Sequence, residues 1–304
     1  MTIRCMKTNP SPFERFEARS GVVGTSLKVA RALPGARRRM VGAWCFLDHA
    51  GPAHLPPGEG MFVGPHPHIG LATVTYLFDG AMQHRDSTGV VQRIEPGAVN
   101  LMIAGRGVVH SERTPDDLRS ATRRSHGLQL WLALPEADED IEPSFSHTPE
   151  TAIPRWAKGG VSARVLIGSA WGASSPVPTC SPTLYIDLQL ARGAQLTLPS
   201  QWAEKRALYA VDGACTAGGQ KIAAQTMAVL PAGQDVQLSA DDNTRCVLIG
   251  GAPLGQRFMW WNFVSSRKER ILQAAQAWAT QPNEVFPQVE GETEFISLPE
   301  PHPA

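Results

Sequence analysis

The sequence predicts an all-β chain built as two similar halves, with one helix near its C-terminus. Three observations carry that reading. Gly and Pro are frequent, at 28 and 25 of 304 residues, and they cut the chain into short apolar runs of strand length. The rhythm of strand, turn and strand recurs at a spacing of roughly 150 residues, the mark of an internal repeat. Apolar residues at helical spacing are sustained once, late in the chain.

The elements follow in order. Residues 20–50 read as short strands in "VVGTSLKVARALP" and "MVGAWCFLDHAGP". "LATVTYLFDGAMQHRDS" holds a β-branched and aromatic run, Thr73 to Phe78, that ends in a turn at Asp79–Gly80. "VVQRIEPGAVNLMIAG" is two strands about the Pro96–Gly97 turn, and "HGLQLWLALP" alternates until Pro135. The segment 136–160 is polar and Pro-rich, so the division is expected there, with domains at 1–140 and 141–304. A second β-series follows: "VSARVLIGSAWG", "TLYIDLQLARGAQLTLP", "RALYAVDGACTAGG", "KIAAQTMAVLPAGQDVQLSA" and "TRCVLIGGAPL". The helix is expected over Ser266–Pro282. Ser265 or Ser266 would cap it, Ile271, Leu272, Ala275 and Trp278 would form its apolar stripe, and Pro282 would stop it.

Bulk charge excludes several classes. Lys+Arg and Asp+Glu both number 28, so nothing in the net electrostatics calls for nucleic acid or a membrane surface. No run approaches the ~18 apolar residues of a membrane span, and the N-terminal stretch has no apolar core of a secretory signal. Cys5, Cys45, Cys180, Cys215 and Cys246 are odd in number, scattered and without a CxxC. That argues against a disulfide framework and for a reducing compartment, with the cytoplasm as the expectation. No GxGxxG, P-loop or GxSxG is present, which disfavours nucleotide-binding and serine-nucleophile chemistry.

The chemistry concentrates in "GPHPHIG", residues 64–70. On a strand, His66 and His68 point the same way, roughly 6.6 Å apart at about 3.3 Å per residue. Pro67 faces away and stiffens the backbone. The pair is half of a metal site on one reading and two surface histidines in a Pro-rich loop on the other. "GRGVVHSER" supplies a matching pair, His110 and Glu112, again at i and i+2. Two such pairs facing each other give three imidazoles and a carboxylate, a set that suits Fe(II), Mn(II), Ni(II) or Zn(II). Glu112 has an alternative as the ion-pair partner of Arg106 or Arg113. Eight of the nine histidines lie at or before His147 and none falls between 148 and 301, so one site in the first half is expected. His84 and Asp86 are either partners of the metal imidazoles or a solvated hairpin. Asp48 and His49 are expected either to make structural hydrogen bonds or to support a metal-bound imidazole. His126 is expected to be structural and "WWNF" (260–263) to be core packing. Phe46, Met61, Phe62 and Met102 are candidate pocket walls.

"PHPHIGLATVTYLFDGAMQHRDSTG", "PGAVNLMIAGRGVVHSER", "HGLQLWLALP" and "GGAPLGQRFMWWNFVSSRKERI" together resemble the pirin family over nearly the whole chain. The resemblance implies two tandem cupin β-barrels (a bicupin) with a C-terminal helix. It implies iron in the first barrel, held by His66, His68, His110 and Glu112, and a metal-free second barrel. The general cupin pattern G-x5-H-x-H-x3-E departs here, because its glutamate position falls on Ala72. The resemblance further implies quercetin 2,3-dioxygenase activity on a flavonol, with Glu112 as the catalytic proton acceptor. The alternative it implies is a metal- and redox-dependent regulator that binds a transcription factor or a metabolic enzyme.

Overall fold

The computed structural model describes residues 13–23 and 27–300. Cys5, His302 and the N-terminal stretch weighed as a signal lie outside them. The run Thr73–Phe78 falls in the strand Leu71–Asp79, whose first seven residues are all buried. Burial on both faces explains why it reads as a near-continuous apolar run rather than an alternation. It lies inside a seven-stranded sheet whose order is Ser144–Thr148, Val99–Ile103, Leu71–Asp79, Arg123–Ala133, Trp44–Leu55, Leu27–Leu33 and Arg19–Val23. A four-stranded sheet, Phe62–His68, Val108–Arg113, Met82–Asp86 and Val91–Ile94, forms the other wall of the first barrel.

The second half repeats this layout. Its large sheet runs Arg15–Glu17, Thr226–Leu230, Lys205–Asp212, Thr244–Gly251, Thr183–Leu190, Val161–Ile167 and Arg155–Lys158. Its small sheet runs Gln195–Leu198, Val236–Ala240, Cys215–Ala217 and Gln220–Ile222. All the strand pairs within these four sheets are antiparallel.

Each large sheet carries one edge strand that the expected division at 140/141 assigns to the other half. Arg15–Glu17, before the first barrel, pairs with Thr226–Ala228 of the second. Ser144–Thr148, beyond the division expected at 140/141, pairs with Val99–Ile103 of the first. The polar segment 136–160 is therefore no bare linker. It supplies an edge strand to each barrel, Ser144–Thr148 and Arg155–Lys158.

The two large sheets face each other across one shared core. Trp44, Leu47, Tyr76 and Leu130 of the first half pack with Tyr185, Tyr209, Val247 and Ile249 of the second, all buried. Polar pins cross that seam. Trp44 Nε1 donates to the carbonyls of Leu184 and Gly250 at 3.2 and 3.0 Å, and Tyr76 donates its hydroxyl to Asp187 at 3.0 Å.

The helix is Lys268–Ala279, shorter than the expected span at both ends. It buries Ile271, Ala274, Ala275 and Trp278. These side chains pack on Ile69, Val109 and Phe263, so the helix belongs to the first barrel although it follows the second. Neither Ser265 nor Ser266 caps it: the N-cap position is Arg267, and no side chain caps the helix, because both hydroxyls are engaged elsewhere. The buried Glu139 carboxylate accepts from both hydroxyls and from the Ser266 N–H, and it also pairs with Arg257 at 3.1 Å. The four cysteines of the described residues are all free.

Candidate metal centre

His66 and His68 lie on the strand Phe62–His68, and His110 lies on its antiparallel neighbour, directly opposite His66. Turns fix both strands in place. Gly70 ends the first with φ +64°, Gly105 precedes the second with φ +49°, and the Gly70 N–H donates to the Gly105 carbonyl at 2.9 Å. A Cβ at Gly105 would stand 2.0 Å from the Ile141 oxygen, so the turn admits only glycine.

The three imidazoles converge, with one nitrogen of each lying within 4.8 Å of the others. All three are buried. Burial pushes the His66 imidazole down to about 4 and holds His68 and His110 well below their usual range, so all three are neutral at physiological pH.

Hydrogen bonds then set the tautomers. His66 Nδ1–H donates to the Gly64 carbonyl at 2.9 Å and His68 Nδ1–H to the Asn262 carbonyl at 3.1 Å. A carbonyl cannot donate, so Nε2 of each ring carries a lone pair. Behind His110 the order runs outward from Asp86. Asp86 Oδ1 accepts from the Thr88 N–H and hydroxyl, and its Oδ2 faces His84 Nε2 at 2.9 Å. That carboxylate places the His84 proton on Nε2. His84 Nδ1 is then an acceptor, 3.4 Å from His110 Nδ1, which donates to it. His110 Nε2 is left as a lone pair, 3.1 Å from the lone pair of His68 Nε2. Lone pairs facing each other in a buried site are an arrangement that a cation between them satisfies.

Glu112 is placed differently from the simple expectation. The pairing register shifts between His110 and Glu112 because Gly64 and Pro65 of the facing strand stand opposite Ser111 alone; against Met82–Asp86 the pairing is regular, and Glu112 keeps the i, i+2 place after His110. It stands outside the group of donors within 4.8 Å, yet it lines the same cavity. Its Oε1 is buried with no hydrogen-bond partner among the described residues, and burial raises its pKa to about 7. The ion-pair alternative is not realised: Arg106 bonds Glu142, and Arg113 bonds Glu292 and Glu294.

The cavity measures about 580 Å³. Phe46, Met61 and Phe62 line it as expected, whereas Met102 lies in the core behind Phe46 and Trp131. Asp48 lines it too. His49 instead turns to the seam, where it meets Tyr209 at 3.1 Å and His126 at 2.8 Å. The Asn262 carbonyl, Trp131 and Arg31 were missed in the sequence. They come from distant stretches, and only the "WWNF" segment gave a signal that pointed near them.

The second barrel has apolar side chains at the equivalent places. Opposite each other in its small sheet stand Leu196 and Leu238, with Leu198 against Val236, in the register that His66, His110, His68 and Val108 occupy in the first. All four pack into that barrel's core.

A pirin model matches residues 26–132 and a pirin C-terminal cupin domain model matches residues 185–284. A pirin-like protein of Caulobacter vibrioides is 43% identical over 288 residues, covering 94% of this chain and 98% of its own. A Pseudomonas aeruginosa protein provisionally named quercetin 2,3-dioxygenase is 44% identical over 90% of this chain and 86% of its own. The crystal structure of a quercetin 2,3-dioxygenase from Acinetobacter baumannii superimposes with a TM-score of 0.87 at 36% identity, over 94% of this chain and 95% of that one. With its two tandem cupin barrels and its histidine cluster in the first, the chain belongs to the pirin family.

Proposed function

We propose that the first barrel binds Fe(II) through His66, His68, His110 and Glu112 and that the protein cleaves flavonols with O2 as a quercetin 2,3-dioxygenase. One observation carries this reading: a buried carboxylate with an unpartnered oxygen shares an aromatic-walled cavity with three neutral imidazoles. The donor set of nitrogens and one oxygen fits iron, and equally Mn(II), Ni(II) or Zn(II). Such an ion supplies Lewis acidity and open positions for small oxygen ligands. The chain's own residues do the rest. Phe46, Trp131 and Phe62 offer flat apolar surface to the ligand's rings and exclude water. Glu112, on the cavity wall beside the imidazoles with an oxygen that no described residue engages, can take the proton of the flavonol hydroxyl as it binds. The names of the Pseudomonas and Acinetobacter relatives support the same substrate class.

The test is oxygen uptake by iron-loaded protein against a panel of flavonols. Uptake is expected for wild type and abolished in His110→Ala. Activity that survives complete removal of the metal would refute the reading.

One feature favours a second role, a metal-state regulator of a protein partner. Arg113 directly follows Glu112 and holds Glu292 and Glu294 of the C-terminal segment, so a shift at the ligand strand reaches the surface. A pull-down whose partners differ between Fe(II) and Fe(III) forms is the expected sign of that role.

A further inference from the structure

Arg31 and Asp48 sit opposite each other on neighbouring strands of the first barrel's large sheet. They form a two-pronged pair: Arg31 Nε donates to Asp48 Oδ1 and Nη2 to Oδ2, both at 2.7 Å. Both line the cavity that holds His66, His68 and His110. The Asp48 side chain is 3% exposed and that of Arg31 33%.

An aromatic wall joins the two ends of this cavity. Trp131 meets His68 edge-on at 5.1 Å, Phe46 stacks on Trp131 at 4.0 Å and 12°, and the Arg31 guanidinium covers Phe46 at 4.6 Å. Val22 and Phe295 line the same cavity. At 60% and 54% exposure they are two of the three exposed large hydrophobic residues among those described. The cavity thus runs from metal donors, along flat rings, to an ion pair beside exposed apolar side chains.

We propose that Arg31 and Asp48 form the subsite for the end of the ligand remote from the metal donors, and that they select a phenolic hydroxyl there. This rests on the flavonol reading above and adds to it which substituent the far ring carries. The chemistry follows from the pairing. Asp48 already neutralises Arg31, so a ligand carboxylate would have to displace it and gains little. Asp48 leaves Arg31 Nη1 unengaged, and each carboxylate oxygen keeps a spare lone pair. A donor and an acceptor therefore stand side by side. A phenol satisfies both, a methyl ether satisfies only the donor, and a bare ring satisfies neither while still stripping water from the pair.

The experiment measures equilibrium binding to Zn(II)-loaded protein without oxygen, followed by quenching of tryptophan fluorescence. The ligands are kaempferol, two of its monomethyl ethers, one blocked at the A-ring 7-hydroxyl and the other at the B-ring 4′-hydroxyl, and the unsubstituted parent flavonol. In wild type, one of the ethers is expected to bind about tenfold more weakly than kaempferol. Arg31→Met is expected to erase that difference, and its Zn(II) content per chain, expected to equal that of wild type, shows that the barrel and metal centre are intact. If Arg31→Met holds less Zn(II) or fails to bind the parent flavonol, Arg31→Lys takes its place. It keeps the charge but loses the fork, and the difference is expected to shrink.

Equal binding of kaempferol and both ethers, or a difference that persists in the variant, overturns the proposal and leaves the dioxygenase reading standing. Discrimination without oxygen uptake leaves the subsite standing and removes the dioxygenase. Failure of the wild type to bind any of these flavonols overturns both.

Discussion

The tautomer of His110 depends on a carboxylate two side chains away, and that dependence can be tested. Asp86→Asn offers His84 an amide N–H or a weaker acceptor in place of a carboxylate. The His84 proton is then free to move to Nδ1, where it opposes the His110 Nδ1–H. Metal affinity is expected to fall about 10–100-fold, measured by competition with a chromophoric chelator, with the folded state retained. An affinity equal to wild type would show that His110 is oriented without this chain. The donor residues themselves were legible, because the strand period of two places His66 with His68 on one side. The bulge at Gly64–Pro65 was not legible, since an extra residue in a ladder leaves no mark in the spacing of the motif beside it. Arg31 and Asp48 were equally hidden as a pair. They are 17 residues apart and meet only because their strands register at that point.

At the scale of elements, the turn at Gly105 and the helix each hold a ligand strand in place. Gly105→Ala introduces a left-handed alanine and a Cβ 2.0 Å from the Ile141 oxygen. A loss of about 2–4 kcal/mol is expected in urea denaturation, from the backbone penalty plus the displacement of the neighbouring loop. Bound metal per chain is expected to fall with it, because the strand bearing His110 begins at this turn. Trp278→Ala removes a fully buried ring that packs among Phe286, Trp261 and Phe295. It is expected to cost about 3–5 kcal/mol by the same assay. It also cuts the Trp278 Nε1 bond to the Ile296 carbonyl, and Ile296 lines the cavity. Flavonol binding is therefore expected to weaken as well. The helix was legible from its apolar stripe and from Pro282. Its landing place was not, because amphipathic spacing tells that a face is buried and not against what. The carboxylate that holds the residues just before it, Glu139, lies more than a hundred residues upstream.

Across the whole molecule the ionisable groups give stability two opposing slopes with pH. His49 and His66 have folded values of about 4, below the ordinary imidazole value. The unfolded chain binds their protons first, so stability falls as pH drops from about 6.5 to about 4, by on the order of 3 kcal/mol per imidazole. Glu112 has a folded value of about 7, above its ordinary value, so its contribution is lost as pH rises through that value. Metal at the site is expected to relieve the second slope, because it takes the carboxylate as an anion. The gain in Tm on metal loading should then grow from about pH 5 to about pH 8 in differential scanning calorimetry. A gain that is flat with pH would exclude Glu112 from the coordination. The repeat of two barrels was legible in the turn rhythm, and the place of the His66, His68 and His110 cluster in the bias of histidines to the first half. The exchanged edge strands were not, since three residues such as Arg15–Glu17 carry no pattern long enough to read. Those strands impose an order of events on synthesis. Arg15–Glu17 is translated some two hundred residues before its partner Thr226–Ala228. The nascent chain must keep that segment unpaired until the second barrel emerges. Only then does the last edge close.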